Sequence, residues 1–280
     1  MNHKYFTVEV KPEIDADLLN AAALASDDDV IFSWTPFEIP KGSARLLNVT
    51  AKVASTNGTA QHQPFQLYFA RAKPNVLTGA MSEPASIGEY NTVMLSQPSV
   101  NEQLGAVKIE AIDYMCQSLV GTSIASTGNS VAANGANVSM VLTPNTSDHN
   151  RYISGAGAGV FTSITPGYDV LWVAGVACGA MDFRTNVVTD LGETISATAT
   201  VVHTDTTDAN LVFTPGDVIQ EVDNTIIGTI VSIGTVSTAD LDIVVDRLGA
   251  FSGGGARQTL ANNIKLYHRT PITLELSFER

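Results

Sequence analysis

The sequence predicts an all-β protein: an antiparallel β-sandwich, jelly-roll-like, with a second, small SH3/OB-like β-barrel. Three observations carry that prediction. Apolar residues recur with period two, as where Leu47, Val49, Ala51 and Val53 alternate with Asn48, Thr50, Lys52 and Ala54. In an antiparallel sheet, period two means one buried face and one wet face. Short runs of this kind are separated by Gly, Pro, Asn and Asp, the residues that turn chains. The chain is also long enough, at 280 residues, to bury a sizeable core in one large β domain or two smaller ones without disulfide staples. The expected division is a sandwich at 1–190, a small barrel at 191–262 and final strands at 263–280. Two arrangements of the final strands stay open: a local pair, or a return to the first sheet that makes the barrel an insertion.

Taken in order, Phe6–Val10 reads as a strand, and Asp15–Ala25 is the only place where the pattern allows a short helix, ended by Asp27, Asp28 and Asp29. Val30–Pro40 is a strand broken at Pro36, because proline denies the ladder a donor and belongs at an edge or a bulge. Asn57-Gly58 separates the strand near Val53 from the one starting near Phe65 and predicts a hairpin, since both positions tolerate positive φ. Prolines and glycines from Lys73 to Pro98 mark a long loop, and strand pattern resumes from Ala106 to Val120. Gly121–Gly135 and Gly155–Gly159 read as flexible or tightly turning stretches, with a short strand at Val138–Leu142 between them. Tyr168–Met181 is a buried strand or strand pair in which Trp172 anchors the core, while Gly175 and Gly179 let another backbone approach. Ile195–Val202, Asp217–Val222, Thr225–Ile233 and Leu241–Val245 are the expected barrel strands, and Ile264–Leu266 and Ile272–Phe278 the last pair.

Composition narrows the function classes. The 15 Lys and Arg against 28 Asp and Glu leave a net charge of -13, which repels phosphate backbones and disfavours direct contact with nucleic acid. Charged residues make up only 15 % of the chain, so Ser, Thr, Asn and Gly carry much of the polar surface, as suits a rigid extracellular-type or particle-surface β protein better than a cytosolic enzyme. The first residues lack an apolar signal segment, and the longest apolar run, near Val170–Met181, is too short to span a bilayer. A soluble protein made in a cytoplasm, without a membrane partner, is expected.

No catalytic, cofactor or metal site is expected. His3, His62, His149, His203 and His268 are scattered without ligand spacing and read as surface or turn residues. Cys116 and Cys178 lie in apolar segments and read as small buried thiols, and no base is placed to activate Cys178. Two acidic groups, Asp205, Asp208 and Asn210, then Asp240, Asp242 and Asp246, lack the loop spacing of a calcium site and read as a solvated face. The glycosylation-type triplets at Asn48, Asn57, Asn137 and Asn145 are those expected by chance in a chain this rich in Asn, Ser and Thr. Phosphate loops and nucleophile elbows are absent, so an enzyme is not expected.

Several segments resemble virion structural proteins of tailed bacteriophages, especially those of marine cyanobacteria. They are Val30-Ile-Phe-Ser-Trp-Thr-Pro-Phe-Glu-Ile-Pro-Lys-Gly42, Phe65-Gln-Leu-Tyr-Phe-Ala70, Phe213-Thr-Pro-Gly-Asp-Val-Ile219, Ile226-Ile-Gly-Thr-Ile230 and Leu266-Tyr-His-Arg-Thr-Pro-Ile272. The resemblance implies a phage particle without naming the position within it. A tail tube or sheath subunit is less natural with an appended small barrel, which leaves a capsid decoration (cement) protein as the leading expectation: a homotrimer on the outer capsid surface of the virion, synthesised in the host cytoplasm, with the major capsid protein as partner. A major capsid protein is disfavoured because the long spine helix of its common fold is missing. The alternatives are a tail, neck or fibre component, or a carbohydrate- or receptor-binding β module. Contact residues are not readable from the pattern; the loops and termini are where they are expected.

Overall fold

The computed structural model describes residues 4–14, 19, 29–54, 61–71, 102–115, 122–127, 138–144, 165–185, 187–189, 199–205, 209–221, 226–235, 241–246 and 263–280. Nine strands build a sandwich: β1 (Tyr5–Val10), β2 (Val30–Pro40), β3 (Ala44–Ala54), β4 (Phe65–Ala70), β5 (Gln103–Ile109), β6 (Thr122–Ser126), β7 (Met140–Leu142), β8 (Tyr168–Ala177) and β14 (Ile272–Glu279). One sheet runs β1-β14-β3-β6, with β7 also paired to β3, and the other runs β2-β8-β4-β5; every pairing is antiparallel. Consecutive strands alternate between the sheets from β1 to β4, and β14 returns between β1 and β3. That strand order is a jelly roll, the two-sheet answer to exposed strand edges.

The period-two residues supply most of the core, with one correction: a bulge leaves Leu47 unpaired with β14 and half-buried, and Leu46 is the buried residue in its place. Leu46, Val49, Ala51, Val53, Leu274, Leu276 and Phe278 of the first sheet face Phe32, Phe37, Ile39, Phe65, Leu67, Phe69, Leu171 and Val173 of the second. Each such side chain contributes about 1.5–3 kcal/mol by leaving water. Aromatic contacts cross the gap: Phe37 on β2 stands edge-on to Phe69 on β4 and stacks on Phe278 of β14, which in turn stacks on Phe6 of β1 at 5.2 Å.

Several expectations are corrected. Strand β2 is continuous through Pro36, which pairs with Trp172, because β2 is an edge strand and one of its sides needs no donors; register shifts lie at its Val30–Thr35 end. Strands β3 and β4, on either side of Asn57-Gly58, are not a hairpin but lie in opposite sheets, so their connection crosses the sandwich. Strand pattern after Ala106 ends at Ile109; a 3-10 turn at Ala111–Asp113 follows, and β6 falls inside the small-residue stretch read as a turn. Leu19 is helical and fully buried, while the rest of the Asp15–Ala25 helix lies outside the described residues, as do Lys73–Pro98 and Gly155–Gly159.

Between β8 and β14 sits a second unit: β9 (Val201–Thr204), α1 (Ala209–Val212), β10 (Val218–Gln220), β11 (Ile226–Thr235), β12 (Leu241–Asp246) and β13 (Tyr267–His268). Its sheet, in the order β13-β10-β11-β12-β9, covers a separate core of Val202, Val212, Phe213, Ile219, Ile230, Ile243, Val245 and Leu266. In place of the expected small SH3/OB-like barrel, the described residues form a five-stranded sheet with no closed barrel among them, and residues 187–189 bridge its two edges at Thr189–Thr204 and Val188–Lys265. Helix α1, a single turn, gave no periodic signal in the sequence. The unit is docked on the sandwich where Ile14 N–H donates to Arg269 O, Gln220 Nε2 donates to Ile14 O, and Arg269 pairs with Glu13 at 2.6 Å.

Two side chains expose the fold to test. A Cβ on Gly175 would lie 2.2 Å from the ring of Phe32, which is itself fully buried. Gln61, also buried, donates to Ala54 O and Asp182 O and accepts from Asp182 N–H at 2.7 Å, tying the strand ends to the connection that leads out to the second unit. Gly175→Val is expected to lower unfolding free energy by about 1–3 kcal/mol through overpacking, read from the denaturant midpoint. Gln61→Leu is expected to lose a similar amount, about 1–3 kcal/mol, by stranding the buried backbone groups it serves.

Candidate interaction surfaces

The two outward faces of the sandwich differ in kind. On the first sheet, outward positions of β3, β6 and β14 are polar and bonded to one another. Asn48 donates to Thr50 and Ser126, Thr127 donates to Asn48 Oδ1 at 2.8 Å, and Lys52 meets Glu275 at 2.5 Å. Both members of that ion pair are well exposed, so it is worth no more than about 1 kcal/mol. The face is wet and already satisfied.

On the second sheet, Val30, Trp34, Ala70, Trp172, Ala174 and Val176 form an apolar cluster on the side away from the sandwich core. Trp172 is an anchor as expected, but of this outer cluster rather than of the core between the sheets. Trp34 is 3 % exposed and Trp172 9 %, so neither offers a platform to solvent. The buried indole N–H of Trp172 has no hydrogen-bond partner among the described residues.

A third surface lies at one end of the sandwich. Lys4 and Arg280 exchange backbone hydrogen bonds of 3.0 and 2.9 Å, and the Arg280 guanidinium lies beside Gly42 in the β2–β3 turn, where φ is +105°. Lys41 and Arg45 flank that turn, with Arg45 3.6 Å from Glu279. Tyr5 (68 % exposed), Val141 (57 %) and Tyr168 (39 %) stand at the same end, half of the exposed large apolar side chains among the described residues.

The residues singled out by type do not converge. His62 stacks on Tyr114, His203 Nδ1 lies 2.6 Å from Asp242, and His268 is buried against Phe213 with Nε2 2.8 Å from Val212 O. The reading of His268 as a surface residue is therefore corrected: it packs β13 onto α1, a long-range contact that spacing does not reveal. Cys178 is half-buried rather than buried, at the end of β8, and its N–H donates to Pro64 O. Asp205 is exposed and Asn210 lies in α1, while Asp208, Asp240, Cys116, His3 and His149 fall outside the described residues. Among the described residues no three His, Cys, Asp or Glu side chains are grouped to hold a metal ion, and no helix is long and apolar enough to cross a membrane. Asn48 is bonded into the polar face, and the other three triplets of that kind begin outside the described residues.

Sequence reasoning missed the basic end, because its residues come from three separated segments, the two termini and the β2–β3 turn. Each of Lys4, Lys41, Arg45 and Arg280 is unremarkable alone, and only strand pairing gathers them. No family model matches the chain, and no curated protein matches it.

One ionisable group reports on the fold. Tyr114 is buried, and its O–H donates to Gln63 O at 2.9 Å; burial, with Asp113 adding repulsion, pushes its phenol well above the ordinary tyrosine value. Burial raises Tyr267 as well. A group raised on folding stabilises below its unfolded value, about 10 for tyrosine, and loses that contribution as pH climbs toward the folded value. Stability is therefore expected to fall above about pH 10, with phenolate absorbance from these tyrosines appearing only as circular dichroism reports unfolding. Tyr114→Phe is expected to flatten that alkaline fall in part.

Proposed function

We propose that this chain is a virion structural protein of a tailed bacteriophage, a capsid decoration (cement) protein that self-associates on the outer shell and bridges capsomers of the major capsid protein. The observation that carries the reading is the resemblance of segments in both units to such proteins. Its setting is consistent: a jelly roll is an architecture that capsid proteins share with lectins and other families. The sparse charge and the self-satisfied polar face of the first sheet suit a rigid scaffold, with function left to its ends and loops.

The mechanism is mass action. A protein that binds only the assembled shell stabilises it by about 2.7 kcal/mol per site when free protein is one hundred times its dissociation constant. No bond is made or broken. A carbohydrate-binding module fits less well, because both tryptophans are withdrawn from solvent.

Particles lacking the protein are expected to burst at lower temperature and milder osmotic shock than complete ones, and adding back the purified chain to restore them. Equal survival would remove the cement role. Gold labelling of intact particles is expected on the head; label on the tail or neck would instead favour a tail component.

A further inference from the structure

The molecule is electrically two-ended. Strand β8 starts at Tyr168, beside the β2–β3 turn, and β14 finishes at Glu279, beside β1; the second unit is tied to the other ends of the same strands, at Ala177 and Ile272. The basic end and the second unit therefore occupy opposite ends of the sandwich. At the basic end, Lys4, Lys41, Arg45 and Arg280 are exposed. The described acidic groups there are hydrogen-bonded or paired but keep their charge: Glu279 with Arg45 and Tyr5, Glu102 with Arg71, Glu38 with Thr165 N–H, and buried Asp169 with Gly42 N–H. Residues 187–269, by contrast, hold ten acidic and four basic side chains.

The second unit also has a face that matches. Leu241, Ile243 and Val245 of β12 point into its core, so Asp242, Val244 and Asp246 point outward. On the neighbouring strand β11, Val231 is 56 % exposed beside exposed Ser232, which pairs with Val244. His203 lies on this face, its Nδ1 2.6 Å from Asp242. At one end an exposed valine is thus offered near Asp246 and the largely covered Asp242, which His203 already holds, and at the other tyrosines and a valine among lysines and arginines. Tyrosine and arginine are residue types enriched where proteins meet.

We propose that copies of this chain associate head to tail, the basic, tyrosine-bearing end of one sandwich docking on the acidic outer face of the β11–β12 hairpin of a second copy. At a net charge of -13 two copies repel in most orientations, and this one brings opposite charges together with apolar side chains between them. The contact is heterologous, so it generates a ring where the rotation closes and a chain where it does not. It rests on the self-association in the proposed function and supplies the surfaces.

Sedimentation equilibrium of the full chain tests it, run at about 0.05 M and about 0.5 M salt to bracket the screening range. Wild type is expected to self-associate at low salt and at least about tenfold more weakly at high salt. The double variants Lys41→Glu/Arg280→Glu and Asp242→Lys/Asp246→Lys are each expected to lose at least about tenfold in self-association. Mixing the two restores assembly, because each supplies the surface the other lacks, and restoration also shows that both are folded. Assembly of wild type with both variants unaffected, or failure of the mixture to assemble, overturns the surfaces and leaves self-association standing. A wild type that stays monomeric at about 0.1 mM, far above the dissociation constants usual for specific complexes, overturns both. Neither result bears on the burst assay, which reads shell binding separately.

Discussion

Strand β14 hydrogen-bonds to β1 on one side and to β3 on the other, and its inward residues Ile272, Leu274, Leu276 and Phe278 are all buried. Without it the first sheet would be two fragments, and β1 would have no partner among the described residues. Phe278 also carries the aromatic contact between the sheets, stacking on Phe37 from β2 and on Phe6 from β1. The same residues thus complete one sheet and fasten it to the other. Because these contacts join segments far apart in sequence, loop-closure entropy is paid before they form, as in other slow-folding β-sandwiches.

What could be read in the sequence follows from the range of each interaction. Alternation is local, so strands such as β3, β12 and β14 are visible wherever one face is buried. Pairing is not local. Asn57-Gly58 carries a strong turn signal, yet it says nothing about whether the flanking strands share a sheet, and here they do not. Strand β6 hid in a stretch of Ser, Thr, Ala and Gly because an edge strand needs few large side chains; Ser123 and Ala125 are its buried residues. The surfaces were less legible still. The basic end depends on which segments become neighbours, and the burial of both tryptophans depends on a second apolar cluster outside the sandwich core.

The two outward faces show two ways of finishing a sheet. On the first, Asn, Thr and Ser side chains bond laterally to one another, leaving a surface that water can wet without exposing unsatisfied groups. On the second, alternation gives way to apolar residues on both sides of β8, so that strand is buried on both faces like a strand from a parallel sheet.

The second unit is tethered at Ala177 and Ile272, the adjoining ends of β8 and β14, and neither strand is at an edge: β8 lies between β2 and β4, and β14 between β1 and β3. A pull on that unit away from the sandwich runs along both strands, one in each sheet. Each strand is held on both flanks, so the load falls across many backbone hydrogen bonds in shear instead of opening them one after another from an edge. The insertion is therefore mounted on the two strands best placed to resist being drawn out, which makes it a mechanically sound handle for whatever grips it.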